Sequence, residues 1–173
     1  MRQTKQKPLT IGEVFAKRLR DVREQKQLTQ EQLSELLAGL GVSIHRATVA
    51  KIENGGTRAE NISVRDLLAF AAALNVAPVH LIVPFEDEVL VDGERKSVRL
   101  AITPRVSAFT SQARGWIRGN NKLRREDDEQ SFYTHIPRVE FEHLLEQARQ
   151  APDGPRPLAS HYAELKAAED QDG

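Results

Sequence analysis

Basic and short side chains stand close together in the run Arg46-Ala-Thr-Val-Ala-Lys51. A guanidinium or ammonium group can reach O6 and N7 of guanine, which is the commonest specific contact between a protein and a base. On a helix, Arg46, Ala47, Thr48 and Lys51 would face outward. Because these side chains are short or basic, such a helix could sit deep in the major groove of duplex DNA, which is about 12 Å wide. The run therefore predicts a helix that reads bases.

No catalytic or metal chemistry is indicated elsewhere. The histidines are too scattered for a His-Glu-x-x-His motif or a Cys/His metal site, and they are His45, His80, His135, His143 and His161. The chain has no phosphate-binding glycine loop, since Gly55-Gly56 is assigned to the end of a helix, and no Ser-Lys protease module is evident. We therefore expect no enzyme activity, no catalytic residue, no metal ion and no cofactor.

The elements that would position the basic run are two short helices joined by a turn. Thr29 and Gln32 have the spacing of a capping box. Leucines then recur at helical spacing, at Leu33, Leu36, Leu37 and Leu40. Gly39 and Gly41 are expected to break this helix and supply the turn. A second helix, over about residues 45–54, is expected to begin near His45 or Arg46 and to stop at Gly55-Gly56.

The flanking segments predict further helices. Thr10 with Glu13 forms another capping box, followed by an apolar stripe to about Lys26. Ser63 with Asp66 is expected to cap a fourth helix that ends at Asn75, and Pro78 suits the first turn of a fifth. The sequence thus predicts a five-helix domain over residues 9–84.

Three blocks in this region resemble the XRE family, the small DNA-binding domains of the Cro and phage-repressor type. They are LTQEQL, TVAKIENG and VRDLLAFAAALNVAPVHLI, and they occur in the family's order. One departure is a longer spacing between the first block and the recognition helix, around residues 38–45. The resemblance covers residues 9–84, which is less than half of the chain, and implies binding to double-stranded DNA.

The resemblance also implies a role for individual residues. The positions that would contact bases are Arg46, Ala47, Thr48 and Lys51. The positions that would contact the DNA backbone are Gln30, Asn54, Thr57 and Arg58. Such backbone contacts position a protein on DNA but carry no sequence information. Arg23 and Glu53 resemble the buried ion pair that ties the first helix to the recognition helix.

The charge distribution agrees with this location. Residues 1–82 carry 12 Lys/Arg and 8 Asp/Glu, whereas residues 83–173 carry 13 and 17. The excess of positive charge thus lies in the half that would bind phosphates. Residues 1–8 include Arg2, Lys5 and Lys7 and are either a flexible basic arm that touches DNA or a disordered terminus.

Residues 85–150 predict a small α+β domain. Together with the five-helix domain over residues 9–84, this makes the expected fold of the whole chain mainly α. Two strands are expected around Val89–Val91 and Val98–Ile102, a helix from Thr103 to Ile117, and a third strand at Phe132–Ile136. Pro137 is expected to open a last helix with Phe141, Leu144 and Leu145. Residues 151–173 are expected to form a flexible tail. The Gly115–Gly119 segment is similar to extensions in actinobacterial and phage regulators.

The thin apolar content of residues 85–150 makes a domain of this size marginal alone. We expect this part to form a homodimer, with effector binding as the rival role. Because the chain has no cysteine, no long apolar run and no signal-peptide core, a cytoplasmic protein without membrane contact is expected.

Two functions follow from the sequence. The preferred one is a sequence-specific transcription regulator, a repressor, that binds double-stranded DNA. The alternative is an antitoxin-like module whose acidic C-terminal half binds a protein partner while the first half tethers it to DNA.

Overall fold

The computed structural model describes residues 7–91, 94–124, 126–137, 139–140, 142–143 and 146. The chain divides into two compact units, Met1–Arg118 and Gly119–Gly173. The predictions for residues 1–6, for the tail 151–173 and for the side chains of Phe141, Leu144 and Leu145 lie outside the described residues.

The first unit is built on helices. Their bounds are α1 Ile11–Gln25, α2 Gln30–Gly39, α3 Arg46–Glu53, α4 Thr57–Glu60, α5 Val64–Ala73, α6 Val79–Ile82 and α7 Thr110–Ile117. The second unit contains α8, Glu129–Thr134.

Capping side chains set the starts of the three longest helices. The Thr10 hydroxyl accepts a hydrogen bond from the Glu13 amide at 3.1 Å, and the Glu13 carboxylate accepts one from the Thr10 amide at 2.8 Å. Thr29 and Gln32 repeat this capping box at α2. Ser63 accepts from the Asp66 amide at the start of α5. These caps satisfy amide groups that would otherwise lack a partner, and they confirm the predicted starts.

The helices enclose one hydrophobic core. Phe15 and Leu19 of α1, Leu33 and Leu37 of α2, Val49 and Ile52 of α3, and Phe70 of α5 all have no solvent exposure. Phe15 and Phe70 meet edge to face, with ring centroids 5.7 Å apart. Since α3 buries its apolar face here, its opposite face is left to solvent.

Two expectations for this region are wrong in detail. The prediction of five helices missed α4, which is four residues long and follows Gly56. The helix α2 also includes Gly39 as its last residue and is capped by Leu40, so in this turn Gly41 alone, with φ +77°, takes the left-handed conformation.

The strands form two small sheets. The strands β2, Glu88–Val91, and β3, Glu94–Ser97, make an antiparallel hairpin. The other sheet has the order β1-β4-β5, with β1 Leu9–Thr10, β4 Arg99–Thr103 and β5 Val106–Phe109. β1 pairs in parallel with β4, placing Leu9 opposite Leu100, while β4 and β5 are antiparallel. The residues just before α1 are thus joined to a strand far along the chain.

The second half differs from its prediction in three places. The partner of β2 is Glu94–Ser97, and the stretch predicted to pair with it is β4, in the other sheet. The helix predicted from Thr103 begins at Thr110, because Pro104 and Arg105 form a turn into β5. Phe132–Thr134 is helical in α8, so the third strand is wrong. A short run of alternating side chains does not separate a strand from a helix.

Among the described residues, no helix combines the length and the apolar character that crossing a membrane requires.

Candidate nucleic-acid interface

The outer face of α3 carries the residues predicted to read bases. Arg46, Ala47 and Lys51 are exposed, and Thr48 is half-buried. Neither the Arg46 nor the Lys51 side chain makes a hydrogen bond or an ion pair with another described residue. Their charged groups are therefore available to a ligand.

The ends of α3 are sharply defined. His45 precedes the helix in an extended conformation, so α3 begins at Arg46, as predicted, and the His45 side chain makes no capping hydrogen bond. Asn54 follows the last turn, and Gly55 then takes a φ of +78°, which only glycine adopts without strain. The uncapped amide groups at the start of α3 are the kind of donor that binds an anion such as phosphate.

A buried ion pair holds α3 against α1. Arg23 Nε donates to Glu53 Oε1 at 2.6 Å, and Arg23 Nη2 donates to Glu53 Oε2 at 2.8 Å. The Glu53 side chain has no solvent exposure, and that of Arg23 is 10% exposed. Two parallel bonds fix the direction as well as the distance of the pair. The ion pair implied by the resemblance is confirmed.

Two further side chains complete this network. Gln30, at the start of α2, donates from Nε2 to Glu53 Oε2 at 2.8 Å. Arg20 donates from Nη2 to the Glu53 backbone carbonyl at 2.9 Å and to Asn54 Oδ1 at 3.1 Å. Arg20 is not among the residues predicted from the sequence. Its position three residues before Arg23 was the available signal, since residues at this spacing share a helix face.

The network keeps Glu53 ionised. Burial disfavours its charged form, but the hydrogen bonds from Arg23 and Gln30, together with the charges of Arg23 and Arg20, outweigh this effect and hold the pKa of Glu53 below its ordinary value. The hydrogen bond to Glu53 raises the pKa of Arg23, against the effect of its own burial. The pair is therefore charged at neutral pH and locks α1, α2 and α3 together.

The residues predicted to contact the DNA backbone lie around α3. Gln30 is half-buried and is engaged with Glu53, while Asn54 is exposed and accepts the bond from Arg20. Thr57 and Arg58 are exposed on α4, where Arg58 lies 3.7 Å from Asp66. Gln30 thus reaches the last residue of α3, Asn54 follows that residue, and Thr57 and Arg58 lie on the next helix, so all four are associated with the carboxyl-terminal end of α3. The exposed face of α3 therefore carries basic donors, and polar side chains lie beyond its last turn.

Comparison with known proteins gives one match. Residues 14–82 match the family model of a helix-turn-helix domain, which covers less than half of the chain and supports a helix-turn-helix DNA-binding regulator. No curated protein and no solved structure matches the chain.

Proposed function

We propose that this protein is a sequence-specific transcription regulator, a repressor, that reads double-stranded DNA by placing α3 in the major groove. The observation that carries the proposal is the pairing of an exposed, unengaged Arg46 and Lys51 with a buried network behind the same helix. Base readout needs donors that are free and a helix that does not move.

Arg46, Ala47, Thr48 and Lys51 are the base-reading residues in this proposal. Gln30, Asn54, Thr57 and Arg58 position the helix through phosphates. Arg58 can leave Asp66 for a phosphate at small cost, because their separation is 3.7 Å and both groups have solvent access. Gln30 can contact Glu53 and a phosphate at the same time, because its amide group has two N–H donors and only one of them is bonded to Glu53.

We further propose that the protein acts as a homodimer through residues 85–150. Within the described residues, β5 is the outer strand of its sheet, and Phe109 on it is 46% exposed. An unpaired strand edge beside an exposed aromatic ring suits a two-fold contact with a second copy. Two recognition helices would then read sites one DNA turn apart, ~34–36 Å.

Selection of bound sequences from random duplex DNA by the full chain tests both proposals. We expect a two-fold symmetric motif. The affinity for that motif should fall with salt, with a slope in log K against log salt of about −0.9 for each phosphate contacted. No enrichment, or a response that is flat in salt, would reject DNA reading, and a motif without symmetry would reject the dimer.

A further inference from the structure

Three arginines and a histidine line a cavity of about 380 Å³ in the Met1–Arg118 unit. Arg18 comes from α1, His80 from α6, Arg114 from α7, and Arg118 from the residue that caps α7. None of these residues belongs to the predicted DNA-contacting set. Three of the seven residues that line the cavity are therefore positively charged, and none of the three is predicted to contact DNA.

The contact between Arg118 and His80 leaves positive charge uncompensated. Arg118 Nη2 lies 2.9 Å from His80 Nε2. A guanidinium has only donors, so His80 Nε2 must be the acceptor and the imidazole must be neutral. Burial, followed by the charges of Arg118, Arg18 and Arg114, lowers the pKa of His80, in agreement with this geometry. Among the described residues, Arg118 has no carboxylate partner.

The other two arginines are held by backbone carbonyls, and each has one carboxylate nearby. Arg18 donates from Nε to the His80 carbonyl at 3.1 Å, and its side chain is 16% exposed. Arg114 donates to the Pro84 carbonyl at 2.8 Å, and its side chain is 21% exposed. The carboxylates near them are Asp21, 3.9 Å from Arg18, and Asp87, 3.3 Å from Arg114. Three guanidinium groups thus face two carboxylates in the described part of the chain.

The remaining lining of the cavity is apolar. Val83 and Pro84 are buried, whereas Phe85 is 75% exposed. The Arg18 guanidinium lies 5.6 Å from the centroid of the Phe85 ring. An exposed aromatic ring next to a cluster of guanidinium groups offers one surface for an apolar body and another for an anion.

The cavity faces away from the DNA-reading surface. Along α1, Arg18 is separated from Arg20 by about 200° of rotation and from Arg23 by about 140°, at about 100° for each residue. Arg20 and Arg23 contact Glu53 at the end of α3. Arg18 is therefore on the far side of α1 from the recognition helix, which disfavours a phosphate of the same duplex as its ligand.

We propose that this cavity binds a small organic anion, with a phosphate or carboxylate group among Arg18, Arg114 and Arg118 and an apolar or aromatic body against Phe85. Arginine suits this role because its planar fork matches both anionic groups with paired hydrogen bonds. The site is independent of DNA binding, so its failure and the failure of the proposed regulator are separate results.

Calorimetric titration of the full chain with phenyl phosphate tests the proposal. Inorganic phosphate and phenol serve as the two halves of this probe. Arg118→Gln keeps a donor for His80 but removes the charge, and Arg105→Gln is the matched control, since Arg105 is exposed in the turn before β5. We expect phenyl phosphate to bind more tightly than either half. Arg118→Gln should weaken it at least about tenfold, which corresponds to ~1.4 kcal/mol, and Arg105→Gln should not.

The imidazole resonances of His80 give a second readout. A bound anion offsets the charges of the arginines, so the pKa of His80 should rise when phenyl phosphate is present. Binding of none of the probes, equal affinity for phenyl phosphate and inorganic phosphate, or equal loss in the two variants would overturn the proposal. The proposal would also be overturned if Arg118→Gln bound phenyl phosphate as the wild type does but showed a smaller slope of log K for DNA against log salt. That result would assign these arginines to contacts with the DNA backbone.

Discussion

At the scale of single residues, Glu53 has the largest structural role in the proposed interface. Its carboxylate accepts hydrogen bonds from Arg23 of α1 and Gln30 of α2, and its backbone carbonyl accepts one from Arg20. One side chain on α3 therefore sets the positions of two other helices. Removing its charge would leave the buried Arg23 with only the exposed Glu24 as a counter-charge.

Glu53→Gln should lower the free energy of unfolding by about 3 kcal/mol, because breaking a buried ion pair strands the remaining charge. Glu24→Gln is the matched control: Glu24 lies 3.3 Å from the same arginine, but its side chain is 60% exposed. Exposed pairs contribute about 0–1 kcal/mol. Urea unfolding of both variants makes the comparison, and equal losses would contradict the role given to Glu53.

The lowered pKa of Glu53 predicts a dependence of stability on pH. Because the folded pKa lies below the unfolded one, the unfolded chain binds more protons in this range. The contribution of Glu53 to the free energy of unfolding is therefore complete above its unfolded pKa of about 4.3. It is lost as the pH falls through the pKa of Glu53 in the folded state. The difference in unfolding free energy between the wild type and Glu53→Gln should shrink as the pH is lowered from 6 towards 3. A constant difference would contradict this account.

The exposed face of α3 predicts two kinds of DNA-binding defect. Arg46→Ala and Lys51→Ala should each lose ~1–3 kcal/mol of discrimination between the selected site and random DNA. Arg58→Ala should weaken both alike, since phosphate contacts carry no sequence information. Titrations of both duplexes against the three variants measure this. If all three variants lost equal affinity on both duplexes, the assigned register of α3 would be wrong.

At the scale of elements, side-chain capping explains which helix starts could be predicted from the sequence. The capping residues Thr10, Thr29 and Ser63 marked helix starts in the sequence, and each start is where the structure has it. The start of α4 has no such signal, because it follows Gly56 without a capping side chain and is too short to show a period. Contacts between elements, such as Arg18 with His80 or β1 with β4, have no local signature at all.

The crossing of α1 and α4 depends on the absence of a side chain at Gly12. A Cβ there would lie 2.7 Å from the Cα and the backbone nitrogen of Glu60. Gly12→Ala should therefore destabilise the fold by about 1–3 kcal/mol, the usual cost of overpacking. Gly39→Ala meets nothing within 4 Å and should stabilise α2 by about 0.5–1 kcal/mol. Thermal unfolding distinguishes the two, and the same sign for both would contradict the predicted crowding.

At the scale of the whole molecule, the excess of positive charge and the proposed dimer contact lie in different parts of the chain. The net positive charge lies in residues 1–82, while the exposed Phe109 and the outer strand β5 lie in the acidic half. A second copy could therefore pair through the acidic half without covering the surface that would meet DNA.

Sedimentation of the full chain should give a homodimer at tens of micromolar. Phe109→Ala should weaken its association by at least about 1 kcal/mol, as expected for an aromatic residue at the centre of an interface. Leu40→Ala is the control, because Leu40 on the helix-turn-helix side is similarly exposed, at 53% against 46% for Phe109. A monomeric wild type, or equal weakening by the two substitutions, would contradict dimerisation through residues 85–150.

The parallel pairing of β1 with β4 has a consequence for the order of events on the ribosome. Leu9 is made well before its partner Leu100, which follows it by about 90 positions. At roughly 5–20 residues each second, the segment ahead of α1 waits ~5–20 s for its strand partner to be synthesised. The segments of α1 to α6 all precede β4 in the chain, so the helical core has time to form before the sheet can close. A nascent chain stalled within this window would display the recognition helix before its amino-terminal strand is secured.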